Sequence, residues 1–185
     1  MSWIDVVEPE EASGRLAEVY EEIGRRRGRV ANIYKIHSLN PDALRGHLDL
    51  YMSLLYRRDG LARAQREMIG VLVSSLNSCR YCVVHHSEAL ARYEKDSGVL
   101  EQLPVDFRRA PISDRDRIML EYCEKLTTHP DGMKEGDVKA LREAGFTDSE
   151  ILDINLIASY FNFVNRVVLG LGLPLEDEEQ RVYRY

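Results

Sequence analysis

The chain has 185 residues, 44% of them hydrophobic, and a formal net charge of −6. That length suits a single domain, here taken as residues 1–185, with a real core, and the apolar share excludes a disordered chain. The acidic balance argues against nucleic acid as the main partner.

Strand signals are almost absent, so an all-α fold is expected. An amphipathic pattern through Leu16, Val19, Tyr20 and Ile23 predicts an N-terminal helix over about 13–27. The Arg25-Arg26-Arg27 run at its end reads as a solvated face after an acidic segment. Asn40-Pro41 starts a second helix, with Asn as N-cap and Pro at the first helical position, and Asp59-Gly60 breaks the chain after about residue 56. Leu61, Ala64, Met68, Leu72 and Leu76 recur at helical spacing. Asn77-Ser78 interrupts that stripe, and a further helix is expected over about 79–95.

Ser113-Asp114-Arg115-Asp116 and Thr147-Asp148-Ser149-Glu150 resemble capping boxes. The second opens a helix over about 149–170 that is apolar nearly all round, so it belongs in the core or in a subunit interface. A chain of this size has limited interior to surround it, and a homo-oligomer is expected. Gly170-Leu171-Gly172-Leu173-Pro174 ends this helix, and a polar tail follows. No charge-free run approaches the ~18–20 residues of a membrane span, so no membrane partner is expected. Met1-Ser2-Trp3-Ile4-Asp5 lacks the basic-then-apolar pattern of a signal peptide. The cytoplasm is the expected location, where a close cysteine pair is more often catalytic or metal-binding than structural.

That pair is Cys79-Arg80-Tyr81-Cys82, followed by His85-His86. Residues 79, 82 and 86 differ by three and four and share one helical face. His85 is turned by ~100° and points elsewhere. Both thiols fall near a helix start, where the dipole and free N–H groups favour a thiolate. Glu67 would lie ~18 Å from Cys79 in a straight helix. If the chain turns back at 76–78, an antiparallel hairpin puts Glu67 level with residues 87–88, where it meets His86 first. The order Glu67, His86, Cys82 follows as a relay. A zinc site needs four ligands, and Cys79, Cys82 and His86 supply three; no metal and no cofactor are expected. Cys123 stands alone and reads as a small core residue. His37, His47 and His129 read as structural or surface groups.

On the spaced set Glu67, Cys79, Cys82 and His86, the chain resembles the AhpD-like alkylhydroperoxidases within the carboxymuconolactone decarboxylase superfamily. The core of this resemblance covers about 42–95. The downstream Phe161-Asn162-Phe163-Val164-Asn165-Arg166 through Pro174 looks like the "peroxidase-related" branch. The resemblance implies an AhpD-like helical bundle, a homo-oligomer and reduction of hydroperoxides by a thiol pair. Cys82 would be the attacking thiolate, Cys79 the proton source and resolving thiol, and His86 with Glu67 the proton relay. The best-known members carry histidine directly before the second cysteine. This chain has Tyr81 there, and a phenol does not shuttle protons near neutral pH.

The expected partners are a hydroperoxide and a dithiol reductant, either a dihydrolipoyl protein or a small dithiol protein. Two other readings stay open. One is an acid/base decarboxylase or isomerase of small cyclic acids, using His86 and Glu67 without the thiols. The other is a non-enzymatic redox-sensing oligomer.

Overall fold

The computed structural model describes residues 2–176, so nearly all of the expected polar tail lies outside the described residues. Among them the chain forms α-helices and short 3-10 turns and no strand. The α-helices are α1 (Gly14–Arg27), α2 (Asn32–Lys35), α3 (Pro41–Leu55), α4 (Arg63–Leu76), α5 (Arg80–Leu90), α6 (Ser97–Asp106), α7 (Asp114–Thr128), α8 (Glu135–Glu143) and α9 (Asp148–Gly170). Among the described residues no helix is long and apolar enough to cross a membrane. Two compact units result: the chain up to Ser53 together with the segment from Val167, and Leu54–Arg166.

In the first unit, α1 buries Leu16, Val19, Tyr20 and Ile23 against Tyr34, Leu44 and Leu48. This is the spacing expected of a one-faced helix. Asn40 caps α3, its Oδ1 accepting from the Ala43 N–H at 3.1 Å. The arginine run divides. Arg25 and Arg26 pair with Glu21 and Glu22 one turn back, as a solvated face does. Arg27 instead is buried, stacks on the Tyr51 ring and donates to its hydroxyl at 3.2 Å. Its long stem and planar head suit burial against an aromatic face.

In the second unit, α4 is buried along an unbroken run from Arg66 to Ser74. A helix wrapped on all sides like this is a central element, and it carries the site. The fully buried Arg66 donates to the carbonyls of Leu61 (3.0 Å), Asp59 (2.7 Å) and Leu54, which fixes the chain entering α4. The capping box at Thr147 forms in full, Glu150 Oε2 accepting from the Thr147 N–H at 2.8 Å and Thr147 Oγ1 from the Glu150 N–H, whereas at Ser113 only the N-cap half forms, Ser113 Oγ accepting from the Asp116 N–H. On α9, Ile151, Ile154, Ile157, Ala158, Phe161 and Val164 are buried, whereas Leu152, Leu156 and Phe163 are exposed.

The helix expected over 79–95 is shorter, ending at Leu90. The Tyr93 N–H bonds to Leu90 O, tightening the last turn, and Lys95 Nζ caps Ala91 O at 2.8 Å. Asp96 then starts α6 by accepting from the Gly98 N–H, and an N-cap residue cannot also continue the preceding helix.

Candidate functional site

The site starts from the turn between α4 and α5. Ser78 adopts a left-handed conformation with φ 56°. The Cys79 N–H bonds to Ser74 O (2.8 Å) and the Ser78 N–H to Ser75 O (2.9 Å). This is a Schellman closure, and it satisfies carbonyls that α4 would otherwise leave open. The chain leaves it with Cys79 as N-cap of α5 and Cys82 three residues on.

Cys79 and Cys82 are buried free thiols with their sulfurs 2.9 Å apart, joined by a hydrogen bond. The bond from Cys82 holds Cys79 below the usual thiol range. Burial opposes that shift, while the backbone N–H of Cys82 and the side chain of Asn165 add to it. Cys82 moves the other way: its hydrogen bond with Cys79, together with burial, raises it, although Asn165 and Ser74 pull against the rise. The first negative charge to form in the pair therefore belongs to Cys79, at the helix N-terminus.

Glu67 is fully buried on α4, and its Oε2 lies 2.6 Å from His86 Nδ1. Burial pushes this carboxyl up, but His86 and then Arg63 overcome that and hold it below the ordinary carboxylate range. Facing an ionised carboxylate, Nδ1 carries the proton, and Nε2 presents the lone pair of a base. The Phe161 ring stands edge-on to the imidazole, with centroids 4.5 Å apart and planes at 84°. Phe161 fits there because position 70 is glycine; a Cβ at Gly70 would lie 2.6 Å from the ring. Of the expected set, the structure therefore joins Glu67 to His86 and Cys79 to Cys82. Among the described residues, no hydrogen bond links His86 to either sulfur.

Two participants carry no single-residue motif. Arg63 Nε donates to Glu67 Oε1 at 2.8 Å, while its guanidinium lies over the rings of Tyr56 (4.1 Å) and Tyr93 (5.4 Å). The four-residue interval between Arg63 and Glu67 was its signal. Asn165, on α9, had none. His85 lies against the Tyr81 ring rather than the dithiol, with centroids 4.4 Å apart. Cys123 is wholly buried, and His37 and His47 face each other at 3.4 Å. Among the described residues, no three His, Cys, Asp or Glu side chains are grouped to hold a metal ion.

The arrangement can store a thiolate, pass a proton across one S–H···S contact, and supply a base polarised by a buried carboxylate. Residues 41–99 match the model of the carboxymuconolactone decarboxylase family. The chain is 33% identical to an AhpD-core, uncharacterized peroxidase-related protein from Ralstonia eutropha JMP134. That likeness covers 99% of this chain and 98% of the other, at a TM-score of 0.86. A peroxidase-related protein from Silicibacter sp. TM1040 is 31% identical over 95% of this chain and 90% of its own, at a TM-score of 0.81. The debrominase Bmp8 shares the fold at 17% identity, with 92% and 90% covered and a TM-score of 0.76. The chain belongs to the AhpD-like, peroxidase-related branch of the carboxymuconolactone decarboxylase superfamily.

Proposed function

We propose that this protein reduces hydroperoxides through a thiol–disulfide cycle at Cys79 and Cys82. The observation that carries this reading is the buried pair of free sulfurs 2.9 Å apart, hydrogen-bonded to each other at a helix N-terminus. Small organic hydroperoxides or hydrogen peroxide are the substrates, and an external dithiol is the reductant.

The cycle starts when the Cys82 proton crosses to the Cys79 thiolate. Cys82, one turn before His86, then attacks the distal peroxide oxygen. The S–O bond forms as the O–O bond breaks. The departing alkoxide takes the Cys79 proton and leaves as an alcohol. Cys82 is now a sulfenic acid and Cys79 a thiolate, which attacks the Cys82 sulfur. The hydroxyl leaves as water, taking from His86 Nε2 the proton that Cys79 gave to that base on ionising, so the imidazole ends neutral as it began; Glu67 stabilises the positive charge in between. Exchange with the external dithiol reopens the disulfide and restores both protons. The peroxide gains two electrons, and the dithiol loses them. Exposed Leu152, Leu156 and Phe163 on α9 support self-association in the same reading.

A peroxide-consumption assay with dihydrolipoyl and small-protein dithiols tests this. Turnover well beyond one equivalent is expected. Cys82→Ser should abolish it, and Cys79→Ser should leave a sulfenic acid that mass spectrometry detects on Cys82. One slow oxidation without turnover overturns the enzyme reading. Decarboxylation of a cyclic acid that survives replacement of both cysteines by serine would point to acid/base chemistry instead.

A further inference from the structure

We propose that Arg63 is a positioning residue for His86: by balancing the charge of Glu67, it keeps the imidazole Nε2 free of hydrogen at neutral pH and so available as the base. This role rests on reading His86 Nε2 as the base of the proposed cycle.

Glu67 is divided between two partners. Its Oε2 lies 2.6 Å from His86 Nδ1, and its Oε1 accepts from Arg63 Nε at 2.8 Å. Arg63 Nη2 lies 2.7 Å from the same Oε1, although it is not aligned to donate. The Glu67 side chain has no exposed surface, and those of Arg63 and His86 are each only 14% exposed. The guanidinium also lies over the Tyr56 and Tyr93 rings, which fixes where its charge sits.

The charged neighbours of α4 are engaged elsewhere. Arg57 and Arg66 share Asp153, and Arg57 also holds Asp59. From α7, Asp116 is bonded to Gln65 and Ser113. On α5, His85 lies against Tyr81, and position 88 is turned by ~200° from His86. Arg63, Glu67 and His86 therefore act as one cluster.

The charge count of that cluster decides where a proton rests, because a dry site disfavours net charge. With Arg63 present, ionised Glu67 and neutral His86 bring the sum to zero, and a further proton would leave one positive charge. Without Arg63 the pair carries one negative charge, and a proton cancels it. That proton closes Nε2 in either form. On His86 it makes an imidazolium with hydrogen on both nitrogens. On Glu67 it makes a carboxyl that donates to Nδ1, and the ring hydrogen is then found on Nε2. Both forms remove the lone pair that a base needs.

Nitrogen-15 NMR of the full chain at pH 7 tests this, since it separates a ring nitrogen bearing hydrogen from a bare one and needs no peroxide. Nε2 should be bare in the unaltered chain and in Arg63→Lys, which keeps the charge. In Arg63→Gln the bare share should fall about tenfold, as the loss of one close charge would give. A hydrogen on Nε2 in the unaltered chain, or a bare Nε2 in folded Arg63→Gln, overturns the proposal. Closure of Nε2 in Arg63→Lys as well would assign the effect to shape rather than charge and also overturns it. If Arg63→Gln does not fold, its combination with Glu67→Gln, uncharged at both positions, decides. Recovery of folding there supports charge balance as the role, and continued failure makes Arg63 a packing residue and overturns it. A closed Nε2 in Arg63→Gln of a protein that turns over no peroxide leaves the role of Arg63 standing and removes only the peroxidase reading.

Discussion

Cys123 and Cys79 are hidden equally well, each with 0% exposure, yet their surroundings drive them in opposite directions. On α7, burial alone pushes the Cys123 thiol up. At the head of α5 the same burial acts on Cys79 and loses to the hydrogen bond from Cys82, the Cys82 backbone N–H and Asn165. Concealment, then, makes a thiol inert only where no donor accompanies it. The histidines repeat the lesson. His47, buried against another imidazole, is lowered to about 3 by burial and His37. His86 has instead a buried carboxylate and keeps a partner for the proton it handles.

The largest effect expected from this contrast is in thiol reactivity. At neutral pH, the Cys79–Cys82 pair should alkylate much faster than Cys123, because the thiolate is the nucleophile and burial alone holds Cys123 protonated. Mass mapping of modified peptides over time reads this directly, and Cys123 reacting at a comparable rate would break the comparison. Next comes Glu67→Gln, which leaves Arg63 and His86 without their buried carboxylate. Breaking a buried ion pair costs about 3–5 kcal/mol, measurable by urea unfolding at pH 7.

The sign of its pH dependence follows from the lowered carboxyl. Ionised Glu67 stabilises the fold fully above its unfolded pKa, and that stability is lost as pH falls through its lower folded value. The gap between wild type and Glu67→Gln should therefore hold through neutral pH and close only in acid. A gap independent of pH down to the acid range would remove the charge from the account.

Gly70→Ala sharpens the histidine side of the comparison. A Cβ there meets Phe161, and overpacking costs about 1–3 kcal/mol despite alanine's better helix propensity. Peroxide turnover should fall with it, because the ring that braces His86 moves; trimming Phe161 to Leu in the same chain should recover part of the loss. The smallest effect is a gain. Ser78→Gly relieves the left-handed residue that closes α4 and should add about 1 kcal/mol in thermal unfolding.

Much of this was legible because it depends on local chemistry. Asn40, Ser113 and Thr147 announce their helices through side chains that bond within three residues. Counting outward from the turn at Asn77 and Ser78 was enough to bring Glu67 to His86. The rest depends on what arrives from elsewhere. Nothing near Cys79 in the sequence reveals that Asn165, arriving from α9, will bond to Ser74 and accept from Asn77 at the turn that carries the thiols. Arg27 looked solvated because its neighbours are; its burial against Tyr51 becomes visible only when α3 is in place. The 79–95 pattern ran on helically past Leu90, and only the competing cap at Asp96 shows where α5 stops.

The edge-on contact of Phe161 with His86 has a spectroscopic consequence. An imidazole tethered at one nitrogen by a carboxylate and flanked by a phenyl ring rotates about its χ2 axis slowly and seldom exchanges its tethered hydrogen with solvent. Nitrogen-15 NMR of the untreated protein should therefore show one sharp, far-downfield imidazole N–H, assignable to His86, and its line should broaden when the phenyl ring is trimmed.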